Sequence, residues 1–122
     1  MKSARHKLFR VSGGRPFFAE VSVECGSVSA GPVVRVAPTA IEGRYDDWRS
    51  AAERGVFYAL HHAEPKPQLD ALCVTVTRIL GIDVDTEETA VAAAACHATW
   101  EALAVSGTHP PRFEGRSIVF DQ

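Results

Sequence analysis

The sequence predicts an α+β fold, a small sheet of about four strands with two helices on one face, in the order β-β-α-β-α-β. Three observations carry this. Residues 69–80 hold a nearly continuous apolar run with Cys73, Val74, Val76 and Ile79, which suits a strand with at least one buried face. Residues 87–105 hold eight alanines and no helix breaker, so a helix follows closely. Residues 17–25 alternate: Ala19, Val21, Val23 and Cys25 point one way, and Phe18, Glu20, Ser22 and Glu24 the other. That is the pattern of a strand with a half-exposed face.

In chain order, residues 1–11 read as a basic N-terminal arm with at most a short strand at 8–11, ahead of a single domain at 12–122. Few core residues lie in this arm, so its removal is expected to leave the fold intact. Ser12-Gly13-Gly14-Arg15-Pro16 is a loop, followed by the alternating strand. Residues 26–31 make a turn and 32–37 a second strand, expected to pair with the first as a hairpin. Residues 45–63 form the first helix, with the stripe Trp48, Ala51, Ala52, Val56, Ala59 and Leu60. Gly55 sits inside that stripe, where glycine costs about 1 kcal/mol relative to alanine, so a close backbone contact is expected there. Pro65 and Pro67 end this helix.

After the apolar strand, Gly81 breaks the run. Asp85 or Thr86 is expected to cap the second helix; Asp85 and Glu88 have capping-box spacing, and Glu87 and Glu88 suit the positive end of its dipole. Val91, Ala95, Ala98, Ala102 and Val105 give a stripe of small side chains, which lets the helix axis approach the sheet. Cys96, Trp100 and Leu103 lie on a neighbouring face, either widening the buried stripe or forming a contact surface. Gly107 is expected to take the left-handed conformation that ends the helix. Residues 115–121 are a last strand.

At 122 residues the chain is one domain, able to bury roughly two-thirds of its unfolded surface. The formal net charge is −2, but it is unevenly spread. Residues 1–15 carry Lys2, Arg5, Lys7, Arg10 and Arg15 and no acid, a local +5, and the remainder carries −7. A basic arm on an acidic body is a phosphate contact or a solvated terminus. Cys25, Cys73 and Cys96 each fall inside an expected element and read as reduced core residues of a cytoplasmic protein. No apolar run reaches transmembrane length, and the N-terminus lacks a signal peptide's apolar core.

The chemistry-bearing patterns are sparse. No G-x-x-x-x-G-K-[ST] is present, which argues against nucleotide binding. His61-His62 and Cys96-His97 are adjacent pairs, and neighbours on a helix point about 100° apart, unlike the i, i+4 pairs that chelate a metal. Both pairs read as core or surface residues, and Cys96 as a buried, inert thiol. Asp83 and Asp85 read as a turn and a cap. No nucleophile–base–acid set is visible, so no catalytic residues, metal or cofactor are expected.

Four segments carry a resemblance to domain IV of elongation factor G, the translational GTPase, and of the related tetracycline-resistance proteins. Ser12-Gly13-Gly14-Arg15 with a following aromatic and strand resembles the family's SGGRGQYGHV. Residues 51–56 with Ala59 resemble its AVEKGIREA helix. Residues 83–88 with Ala90 resemble its DVDSSE-x-A turn, and His109-Pro110 with Phe113-Glu114 is similar to its KPVLLEP ending. The match runs over about residues 5–121, in order and with similar spacings. The resemblance implies a small sheet with both helices on one face and a left-handed β-α-β crossover. It also implies two loops at one tip that reach the ribosomal decoding region and tRNA.

The departures from the family are specific. The GTPase and the other family domains have no counterpart here. The second tip loop is two positions shorter, with Gly81, Ile82 and Asp83 at its centre and Ile82 where the family has histidine. Pro16 and Phe17 replace a Gly-Gln pair. The resulting expectation is a ribosome- or structured-RNA-binding module without GTPase activity or a translocation role. Arg5, Lys7, Arg10, Ser12, Gly13, Gly14 and Arg15 would be its RNA contacts, because cations and the N–H groups of a Gly-Gly turn can meet phosphates. The alternative is a protein-interaction module that kept the fold and lost the RNA role, using the acidic body and a Trp100/Leu103 surface.

Overall fold

The computed structural model describes residues 2–41, 46–81 and 86–121. A four-stranded sheet holds β1 (Lys2–Ser12), β2 (Arg15–Ser27), β3 (Val33–Val36) and β5 (Leu72–Leu80), in the spatial order β1-β2-β5-β3. Two helices pack on it, α1 (Asp46–His61) and α2 (Glu88–Leu103). Short β4 (Ala63–Glu64) pairs with β6 (Ser106–Gly107), and β7 (Arg112–Glu114) pairs with β8 (Ser117–Val119). This is the α+β architecture expected from the sequence. Among the described residues no helix is long and apolar enough to cross a membrane.

The segment read as a basic arm is the edge strand of the sheet. Lys2 to Ser12 pairs with β2 residue by residue, from Lys2↔Cys25 to Ser12↔Arg15, and Leu8 is buried. Gly13 and Gly14 turn the chain between them with φ of 59° and 76°. Two consecutive positive φ values match the right-handed twist of a hairpin, and two glycines supply them without a Cβ penalty. The hairpin expected between residues 17–25 and 32–37 does not form: β3 pairs in parallel with β5, and α1 lies between them in sequence. The last strand also differs from expectation, since β8 pairs with β7 outside the main sheet.

Strand parity decides which side of the sheet is covered. On β2, Phe17, Ala19, Val21, Val23 and Cys25 are all buried toward the helices. On β5, Leu72, Val74 and Val76 face inward, and a bulge at Thr77 then resets the parity so that Ile79 faces inward too. The bulge explains why this strand reads as a nearly continuous apolar run. Thr77 is held there by its hydroxyl, which donates to the Ser22 carbonyl at 3.2 Å.

The helices cover the inward face. In α1, Trp48, Ala51, Ala52, Val56, Ala59 and Leu60 are all buried, as the stripe predicted. In α2 the burial runs nearly all round: Ala90 to Cys96, Ala98 to Trp100 and Ala102. A helix apolar on most sides has to be largely enclosed, and α2 packs against α1, β1 and β2. Its alanines also let α1 come very near. A Cβ built on Gly55 would lie 2.1 Å from the Ala92 carbonyl oxygen, which is the close contact that the glycine permits.

Both ends of α2 depart from expectation. The N-cap position is Glu87, with no side-chain capping bond. Thr86 is instead tied to the sheet, its hydroxyl donating to the Phe18 carbonyl at 2.7 Å, and Asp85 lies outside the described residues. At the C-terminus the left-handed residue is Ala104, φ 55°, rather than Gly107. Gly107 lies in β6, where a Cβ would come within 2.3 Å of the Trp100 ring.

Candidate nucleic-acid interface

Pairing β1 with β2 divides the N-terminal cations between two faces of the sheet, because successive side chains on a strand point in opposite directions. Arg5 and Lys7 stand opposite Ser22 and Glu20 on the open face, and Arg10 stands opposite Phe17 on the helix side. The five cations do not form one patch. Arg5 is held by Glu20 at 3.1 Å. Lys7 Nζ lies 5.9 Å from the centre of the Phe18 ring. The Arg10 guanidinium lies 4.5 Å from the centre of the Phe113 ring, which itself meets Phe17 edge-on.

The Ser12–Arg15 turn is anchored at one end of the sheet. Ser12 donates to the Gly115 carbonyl at 2.6 Å, and a Cβ on Gly13 would lie 2.7 Å from the Gly115 carbonyl carbon. The turn therefore abuts the β7–β8 turn, which carries the exposed Arg116. Arg15 reaches across to Glu87 at 2.6 Å, and Glu87 also accepts from Thr89 at 2.9 Å. An open depression of about 390 Å³ is lined here by Arg15, Glu87, Glu88, Arg116 and Ser117 among others. Its charge is mixed, since the cations are matched by the acids at the start of α2.

The second tip segment starts at the same end. Gly81 follows β5, and a Cβ there would meet Trp48 and Thr86 side-chain atoms at 2.6 and 2.7 Å. Ile82 and Asp83 lie outside the described residues. Thr86, bonded to the Phe18 carbonyl, brings the chain back beside the start of β2. The Gly13-Gly14 turn, Gly81 and Thr86 thus lie near the beginning of β2.

The remaining side chains singled out in the sequence are largely enclosed, the three cysteines as expected. Trp100 is buried and donates its indole N–H to the Ala59 carbonyl at 2.8 Å, so it forms no outer surface with Leu103. Cys25, Cys73 and Cys96 are buried free thiols; burial pushes the Cys25 thiol up to about 11 and raises Cys96 further. His97 stacks on His6 at 4.8 Å, and His6 Nδ1 is 2.6 Å from a Glu101 carboxylate oxygen. Burial, and then the neighbouring His6, lower the His97 pKa, while Glu101 acts the other way. His62 touches His61, His109 and Tyr58. Among the described residues no three His, Cys, Asp or Glu side chains converge as a metal ion would require.

Two side chains that the sequence reading passed over stand out on the open face. Phe9 and Phe18 are cross-strand partners, with ring centres 6.3 Å apart in an edge-on arrangement, and Phe9 is 68% exposed. The available signal was Phe18 itself, an aromatic on the polar side of an alternating strand.

No protein-family model matches the chain, and no curated protein matches it. Among solved structures, the chain is similar to ttk003000868 from Thermus thermophilus, with a TM-score of 0.68 and 21% sequence identity. The similarity covers 85% of this chain and 16% of that one, so the chain spans a small part of the longer protein's length. At this identity the likeness establishes the fold.

Proposed function

We propose that this chain is an RNA-binding module resembling domain IV of elongation factor G, which meets ribosomal or other structured RNA through its phosphates. The observation that supports the reading is the convergence at the start of β2. The basic hairpin turn lies at the same end of the sheet as Gly81 and Thr86, the residues that flank the second tip segment. Backbone N–H groups at a Gly-Gly turn and nearby guanidinium groups suit phosphate oxygens. The shortened second loop argues for RNA contact without stimulation of translocation.

Ion pairs temper the expected affinity. Arg5 and Arg15 are matched by Glu20 and Glu87, which leaves Lys2, Lys7 and Arg10 as the N-terminal cations outside the ion pairs of the described residues. Lys2 sits at the far end of β1, and Lys7 and Arg10 face opposite sides of the sheet, so one or two phosphates neutralised should give a log-log salt slope of about −1 to −2. The acidic remainder of the chain repels the same polyanion. The test is binding to purified ribosomes and to a structured RNA between about 50 and 200 mM salt. Affinity with that slope supports the reading, and no affinity at the lower salt concentration rejects it.

A further inference from the structure

The open face of the sheet has a character that whole-chain charge conceals. The strand residues pointing away from the helices include Arg5, Lys7, Arg35 and Arg78, against Glu20 and Glu24. This face is therefore net basic in a chain of net charge −2. Arg5 already occupies Glu20. Beside these charges, toward the Gly13-Gly14 turn, lies an apolar strip that burial does not explain: Phe9 is 68% exposed, Val11 61% and Leu80 36%, with Phe18 beside Phe9. An exposed aromatic ring packed on a half-buried one, with cations beside them on a sheet, fits a specific kind of partner. Every nucleic-acid base has a π-face that can stack on such a ring, and the strand's phosphates then fall on the flanking cations.

We infer that the open sheet face is a binding surface for single-stranded RNA, on which bases stack against Phe9 and Phe18 while Lys7 and Arg78 meet the phosphates. The inference rests on the RNA-binding reading above and assigns it a second surface, distinct from the Ser12–Arg15 turn. The pairing of aromatic rings with neighbouring cations favours RNA over a protein partner, because RNA brings a π-face and a phosphate in every repeat unit. A duplex cannot use this surface in the same way, since its bases are already stacked.

The test uses the full chain, a fluorescein-labelled oligouridylate of about eight nucleotides, and an RNA duplex of the same length. Phe9→Ala and Phe18→Ala should each weaken binding of the single strand about 5- to 150-fold. Neither should change duplex binding or the salt slope, because no charge is removed. Phe9→Trp should keep the wild-type affinity, and bound oligouridylate should quench its added indole emission, taken as the difference from the wild type, which already holds Trp48 and Trp100. Since Phe9 is exposed, this variant reads stacking directly even if an alanine variant folds poorly. If the chain binds ribosomes or duplex RNA while Phe9→Ala binds the single strand like the wild type, this inference fails and the phosphate reading stands. If the chain self-associates through Phe9 and binds no single strand, the face belongs to a second copy and the inference fails likewise. Absence of binding to any of these RNAs at about 50 mM salt overturns both.

Discussion

Gly55→Ala adds a single methyl group at the point where the two helices are nearest. That methyl would sit 2.1 Å from the Ala92 carbonyl oxygen, 2.8 Å from its carbonyl carbon and 2.9 Å from its Cα. Ordinary contact requires roughly 3.4–4 Å, so α1 and α2 would have to separate by about 1 Å or more. All three colliding atoms are backbone, and no side-chain rotation relieves the clash. Two effects oppose each other. Alanine is the better helix former by up to about 1 kcal/mol, which would stabilise an open site. Overpacking a tight core costs about 1–3 kcal/mol, and a fixed backbone obstacle belongs at the upper end of that range. Parting the helices also loosens the α2 alanines from their neighbours, which forfeits dispersion contacts.

The net expectation is a loss of about 1–2 kcal/mol. For 122 residues the unfolding entropy makes this a fall in melting temperature of about 4–8 °C. Thermal unfolding by circular dichroism and urea titration measure it, with an unchanged m-value showing that the two-state comparison holds. A neutral or stabilised Gly55→Ala variant would refute the close helix crossing. Gly55→Leu should be worse than alanine in the same assays.

Three further outcomes follow from named contacts. Deleting residues 2–12 removes the edge strand and buried Leu8 and leaves β2 as a bare edge. The truncated chain should lose its cooperative thermal transition or aggregate, and an unchanged transition would show that β1 is dispensable. Thr86→Val keeps the shape but removes the donor to the Phe18 carbonyl. It should lower the stability measured in urea by about 0.5–1.5 kcal/mol, and an unaltered midpoint would mean that this bond contributes nothing. The pH dependence follows from His97, whose folded pKa is lowered mainly by burial. The unfolded chain then binds the proton more readily, so the His97 contribution is present above its ordinary pKa of about 6.5 and is lost as pH falls below it. Urea midpoints should drop between pH 7.5 and 5.5, less steeply in His97→Gln; equal slopes would exclude His97 as a cause.

The local periods of the chain were legible from residue types alone. The alternation in residues 17–25 set which side of β2 is buried, and the stripe from Trp48 to Leu60 set the buried side of α1. Gly55 announced a close approach because glycine inside a helix is costly without one. The Gly13-Gly14 pair marked a turn because few other residues accept two consecutive positive φ values. These features depend on a residue and its near neighbours, which the sequence displays directly.

Partner choice between distant segments was decided only by the tertiary structure. Residues 2–12 have little apolar alternation, and they become a strand because β2 offers a free edge and α2 covers Leu8, Ala4 and His6. Residues 32–37 pair with β5 rather than with their sequence neighbour β2, whose two edges are taken by β1 and β5. Helical spacing left Trp100 either in the buried stripe or on a contact surface, and it is buried because Gly107 and the Ala59 carbonyl meet it from other segments. The Phe9–Phe18 strip and the basic open face exist only once two strands stand in register. Pairing is a competition among long-range alternatives of similar local merit, and it is won by burial and hydrogen bonding summed over the whole domain.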